Sequence, residues 1–137
     1  MTAPMDAKRR PSLLVVDDAP EIVRLVEWLG RRQGYEVRSA GDVQAAWQTL
    51  QEWRPDLVLL DLNLPGDNGL VLCRRLRQAS ELASLPVALF GDWQRSDDIA
   101  EGLEAGIDFM IAKDLLCRPD EWQARLQEIL EAIGRRR

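Results

Sequence analysis

A chain of 137 residues is one ordinary domain, long enough to bury about two-thirds of its unfolded surface and to hold a core without disulfide or metal staples. A formal net charge of −5 argues against a nucleic-acid-binding face, which needs clustered Lys and Arg, and two cysteines without CxxC spacing, with no histidine, argue against a zinc site. No apolar run reaches membrane-span length and no signal-peptide segment opens the chain, so a soluble cytoplasmic protein with Cys73 and Cys117 reduced is expected.

Residues 1–11 carry two prolines, a basic run at 8–10 and no periodicity, and read as a mobile arm. The folded unit is expected over 12–134, with a basic, solvated tail at 135–137. The first strand is predicted over 12–17, followed by a helix that opens at Pro20, carries Ile22, Val26 and Leu29 on one face, and ends before Gly34. A strand at 36–39 leads to a helix with Val43, Trp47 and Leu50 on its inner face, and a third strand covers 56–61. The fourth strand is expected at 86–91, after which "GDWQRSDD" (91–98) reads as a polar loop entering a helix capped by Ser96. Gly106 suits a helix end, a fifth strand follows at 107–112, and the last helix enters at Pro119 with Trp122, Leu126, Ile129 and Ile133 spaced by three and four.

Short strands apolar on both faces, alternating with helices, imply a parallel sheet covered on each side by right-handed crossovers. The class is α/β: a flavodoxin-like, doubly wound, five-stranded sheet in the order 2-1-3-4-5 with five helices. In that order the ligand crevice opens beyond the carboxyl ends of the first and third strands. Asp17 and Asp18 end the first predicted strand and Asp61 ends the third, so topology brings three acids together.

Two carboxylates about 4 Å apart repel by about 4 kcal/mol at an effective dielectric near 20, so the cluster calls for a cation. Oxygen ligation by a few carboxylates, with room left for water and phosphate oxygens, favours Mg²⁺. A carboxylate beside Mg²⁺ can attack phosphorus and form an aspartyl phosphate if a fixed cation shares the charge, and Lys113, ending "FMIAK", is placed to be that cation. Asp18, just ahead of Pro20, also suits a helix cap, the lesser of the two readings.

"VVDD" (15–18), "LLDLNLPGDNG" (59–69) with its D-x-x-x-P-x-x-x-G spacing, "LPVALF" (85–90) and "EAGIDFMIAK" (104–113) together resemble the receiver domain of two-component response regulators. The resemblance implies Asp61 as phosphoacceptor, Asp17 and Asp18 as Mg²⁺ ligands with Asp61 and the main-chain carbonyl of Asn63, and Lys113 paired to the incoming phosphoryl group. It also implies a phosphohistidine donor on a histidine kinase or phosphotransfer protein, with output through partner binding and possible pairing of two copies through the helix 4 to helix 5 face.

Three positions depart from the family pattern. Gly91 stands where the family has a Ser or Thr that binds a phosphoryl oxygen, Met110 where it has an inward-swinging aromatic, and Asp114 where it has a cis proline, so a trans bond is expected. Asp92, usually a small residue, is expected to face solvent, and Trp93 is either a partner contact or packing for the fourth helix. The leading expectation is a single-domain, Mg²⁺-dependent phosphoacceptor that is not an enzyme on other substrates. The alternative is a phosphorylation-independent pseudo-receiver, motivated by Gly91 and Met110. A phosphohydrolase with an aspartyl nucleophile ranks last, because Asn63 stands where that class has a second acid.

Overall fold

The computed structural model describes residues 10–91 and 96–136, with side chains throughout except those of residues 96 and 97. Five parallel strands, β1 (Ser12–Val16), β2 (Glu36–Ala40), β3 (Leu57–Leu60), β4 (Val87–Gly91) and β5 (Phe109–Ala112), lie in the order β2-β1-β3-β4-β5, the 2-1-3-4-5 order expected. Five helices connect and follow them: α1 (Pro20–Arg32), α2 (Val43–Glu52), α3 (Leu70–Gln78), α4 (Ser96–Ala105) and α5 (Pro119–Arg136). Among the described residues, no helix is long and apolar enough to cross a membrane.

The period of two along the strands builds two cores. Leu13 and Val15 of β1, Leu57 and Leu59 of β3, and Phe90 of β4 face the side covered by α1 and α5, where Trp122 meets Phe90 edge-on at 5.8 Å between ring centres. Leu14, Val16, Val58, Leu60 and Leu89 face the other way, onto α2 and α3. All five residues of β1 and all four of β3 are buried, so the central strands are fixed on both faces. The four residues chosen from the periodicity of α5 (Trp122, Leu126, Ile129 and Ile133) are all buried.

Helix starts and stops follow local chemistry. Pro20 opens α1, where its missing N–H costs nothing, and Asp42 caps α2 by accepting the Ala45 N–H at 2.7 Å. Gly106 leaves α4 at φ +99°, and a Cβ there would meet Arg77 at 2.7 Å, so both backbone and neighbour require glycine. Arg77, at the end of α3, donates to the carbonyls of Ala83, Leu85 and Gly106 and to Asp108 Oδ2 at 2.8 Å. This guanidinium therefore ties together the approaches to β4 and β5.

Several expectations are refined. β1 and β3 stop one residue short of their terminal aspartates. Two short elements were not anticipated: a ribbon pairing Asn63–Leu64 with Asp67–Asn68, and a 3₁₀ turn at Lys113–Cys117. Arg136, read as part of a solvated tail, instead lies in the last turn of α5, pairs with Asp108 at 3.3 Å and stacks over Phe109. Among the described residues no peptide bond is cis, so Lys113–Asp114 is trans. The readings of residues 1–9, of Asp92 and Trp93, and of the Ser96 side chain as a cap lie outside what the structure describes, although α4 does begin at Ser96.

Candidate phosphoryl and metal site

The site follows from strand register. Val16 of β1 is the lateral neighbour of Leu60 in β3, so the next residue on each strand, Asp17 and Asp61, emerges side by side at the carboxyl edge. Their backbones stay in the sheet pattern for one more bond: Asp17 N–H donates to Ala40 O and Asp61 N–H to Val16 O, both at 3.0 Å. Their side chains converge with that of Asp18. One carboxylate oxygen from each of the three lies within 4.8 Å of the others.

Burial raises the stakes of this convergence. Asp17 is 2% exposed and Asp61 6%, while Asp18 faces solvent. Lys113, the first residue past β5, reaches over the Phe90 ring to place its Nζ 2.7 Å from Asp17 Oδ2 and 3.4 Å from Asp61 Oδ1. Among the described residues no other donor reaches Asp17 Oδ2. One ammonium thus pairs with two of the three clustered carboxylates.

The titration behaviour follows. Burial pushes the Asp61 carboxyl above its ordinary value; Lys113 and the backbone N–H of Asn63 pull it down, Asp17 pushes it up, and the balance stays raised. For Lys113, burial favours the neutral amine, but the carboxylates of Asp17 and Asp61 outweigh it and raise the ammonium above its usual range. Lys113 is a fixed cation at any physiological pH.

The second alternative for Asp18 is decided by geometry. The residue preceding α1 is Ala19, which makes no side-chain cap, and its N–H is taken by Asp17 Oδ1 at 2.9 Å. Asp18 caps nothing at the start of α1 and is left to the acid cluster.

The spacing of Asp61, Pro65 and Gly69 acquires a physical reason from the ribbon. After Asp61 the chain runs out, turns at Gly66 and returns, and Gly69 donates to Leu62 O at 2.8 Å. A Cβ on Gly69 would fall 2.1 Å from the Asp61 carbonyl oxygen, a collision with backbone that nothing can relieve cheaply. Glycine lets the returning chain close against the strand end.

Beside Asp61 opens a cavity of about 100 Å³, lined among others by Asn63, Asn68, Leu89, Gly91 and Asp98. A Cβ on Gly91 would stand 3.9 Å from Asp61 Oδ1, an ordinary contact distance, so the cavity has room at that position for the hydroxyl side chain that this chain lacks. Met110 is half-buried on β5 and packs against the α2–α3 core, and its carbonyl accepts from Arg125 of α5 at 2.7 Å. Asn68 and Asp98 were not singled out from sequence. Asn68 reads as a turn residue and Asp98 as one of several acids in a first helical turn, and neither pattern announces a cavity wall.

The site therefore holds an oxygen-only acid cluster, a fixed cation, and a cavity beside Asp61 at the end of β3. Comparison with known proteins identifies the family and the fold. The response regulator receiver domain matches residues 13–127. The DNA-binding response regulator MtrA of Mycolicibacterium smegmatis is 37% identical over 123 residues, covering 90% of this chain and 51% of that protein, so the chain spans about half the length of such relatives. Among solved structures, chemotaxis response regulator CheY4 of Vibrio cholerae superposes with a TM-score of 0.80 at 25% identity, covering 88% of this chain and 99% of that one. The Mn(2+)-bound form of response regulator Rcp1 superposes with a TM-score of 0.70 at 27% identity, covering 80% and 88%.

Proposed function

This chain belongs to the response regulator receiver domain family, and from that premise we propose that it is a phosphoacceptor signalling domain in which Asp61 takes the phosphoryl group. The observation that carries this reading is the meeting of Asp17, Asp18 and Asp61 within 4.8 Å, with Lys113 on two of them. In the transfer, an Asp61 carboxylate oxygen forms a bond to phosphorus as the bond from phosphorus to the donor breaks; a phosphohistidine leaves as the imidazole, a small acyl phosphate as its carboxylate. Lys113 holds charge that accumulates on the transferring oxygens, and the Asn63 N–H orients the attacking carboxylate.

The acid cluster fits a hard divalent cation. Its donors are all oxygen, Asp17 is almost fully buried, and one lysine leaves a net negative charge. We assign Asp17, Asp18, Asp61 and the carbonyl of Asn63 as the residues that would hold Mg²⁺. When bound, that ion supplies charge neutralisation for the acids and the entering phosphoryl oxygens. The Mn(2+)-bound form of Rcp1 supports a divalent ion in this fold. The donor partner is a histidine kinase or phosphotransfer protein in the cytoplasm, and output passes through a protein partner.

Incubation of the full chain with Mg²⁺ and acetyl phosphate, followed by intact-mass measurement, tests the reading. The expected result is one added phosphoryl group, lost in Asp61→Asn. An unmodified chain, or equal labelling of Asp61→Asn, overturns it. Gly91→Thr, whose Cβ would lie 3.9 Å from Asp61 Oδ1, is expected to speed labelling about tenfold by restoring one hydrogen-bond donor, and an unchanged rate would refute that role for the position.

A further inference from the structure

We propose that Asp98 acts as a counter-charge that limits phosphoryl occupancy of Asp61, an inference that rests on the phosphoacceptor reading above. Asp61 and Asp98 line the same cavity of about 100 Å³, ample for several waters or a phosphoryl group. Asp98 comes from the first turn of α4, is half-buried, and has no ion pair among the described residues. Among the described residues, the charges around the cavity are therefore unevenly placed. Lys113 contacts Asp17 and Asp61, whereas the rest of the described lining includes Gly91, which offers no side-chain donor, apolar Leu89, and Asp98.

A phosphoryl group on Asp61 adds close to two negative charges to this space. Lys113 and, when bound, the cation of the acid cluster would meet part of that charge, while Asp98 lines the same small cavity in a half-buried setting, where repulsion is less screened than in open solvent. Labelling forms the Asp61 oxygen–phosphorus bond and releases acetate from acetyl phosphate. Hydrolysis by water breaks that same bond and returns carboxylate and inorganic phosphate. Repulsion lowers the ratio of the first rate to the second. It also favours displacement of the first turn of α4 once the phosphoryl group is present, an outward push where a hydroxyl at position 91 would make an inward pull.

The test compares the wild-type chain, Asp98→Asn, Asp98→Glu and Glu101→Gln at subsaturating acetyl phosphate with Mg²⁺, reading the phosphorylated fraction by intact mass and the thermal midpoint of each variant. Glu101 is exposed on the same helix, so its variant makes the same change in net charge away from the cavity. Expected are a rise of about three- to tenfold in the phosphorylated fraction for Asp98→Asn, narrowing with added KCl, and wild-type behaviour for Asp98→Glu and Glu101→Gln. A fraction for Asp98→Asn at or below wild type, or an equal rise in Glu101→Gln, overturns the proposal while leaving Asp61 as phosphoacceptor. If no variant is labelled even at saturating acetyl phosphate, the phosphoacceptor reading itself fails and this one with it. Should Asp98→Asn melt well below wild type, Asp98→Ser takes its place: a salt-dependent rise in Asp98→Ser, with Asp98→Glu at the wild-type level, supports the counter-charge, and the absence of that rise overturns it.

Discussion

At the amino edge of the sheet, Asp56 and Asp108 are each provided with partners from the surrounding frame. Asp56 accepts the Ser12 N–H at 2.8 Å and the Ser12 hydroxyl at 3.2 Å, while Asp108 accepts Arg77 at 2.8 Å, the Val87 N–H at 3.0 Å and Arg136 at 3.3 Å. At the carboxyl edge, Asp17 and Asp61 are as deeply buried as Asp56, yet they face each other and Asp18 with one lysine between them. The same residue type has opposite roles at the two ends of the same strands. Satisfied carboxylates stitch the sheet together, whereas crowded ones hold uncompensated negative charge that only an added cation or a chemical change can relieve. Crowding by like charge, more than burial, separates the acids at the two edges.

That contrast can be broken at either edge. The largest expected effect is at the carboxyl edge: Lys113→Ala should slow acceptance of phosphate from acetyl phosphate about 100-fold, the loss of one pre-placed charge donor, with the fold intact by circular dichroism. A rate within twofold of wild type, followed by intact mass, would put Lys113 outside the reaction. At the amino edge, Arg77→Ala should cost about 3 kcal/mol in urea unfolding, because it strips partners from several carbonyls and from Asp108 at once, and should leave labelling of Asp61 unchanged under native conditions. Asp56→Ala should cost less, about 1–2 kcal/mol, through the Ser12 groups left without their acceptor.

The smallest effect has the opposite sign. Burial raises the Asp61 carboxyl above the ordinary 3.8, so its ionised form costs stability. That cost is absent below the ordinary value, where the group is protonated in both folded and unfolded chains, and is fully present above the raised one. Asp61→Asn without divalent cation should therefore melt about 2–5 °C higher than wild type at neutral pH, with the gain shrinking as pH falls toward 3.8. A lower melting point for the variant at neutral pH would mean that Asp61 is stabilising, as Asp56 is.

Much of this arrangement is legible from the chain alone, and for local reasons. The apolar strands leading to Asp17 and Asp61, the prolines that open α1 and α5, and the three- and four-residue spacing in α5 are all short-range patterns; the helix patterns are found where the sequence puts them, and the two strands end one residue before their aspartates. The carboxyl-edge site needed one more inference, the 2-1-3-4-5 strand order, which is why acids distant along the chain could be paired from the sequence. What escaped depends on contacts between elements far apart in sequence. Arg77 finds Asp108, Arg136 finds the same acid, and Asp98 arrives at the cavity wall only because α4 packs where it does. The ribbon at Asn63–Leu64 and Asp67–Asn68 was missed because two-residue strands leave no periodicity to read.

The claim on which the rest stands is that the crowded acids form a cation site, and thermal melting with and without Mg²⁺ tests it most directly. A ligand that binds only the folded chain raises its melting point by mass action. The account predicts a rise for wild type with millimolar Mg²⁺ and its loss in Asp17→Asn, with Asp56→Asn retaining it. A wild-type midpoint indifferent to Mg²⁺, or an equal rise in Asp17→Asn, would contradict it.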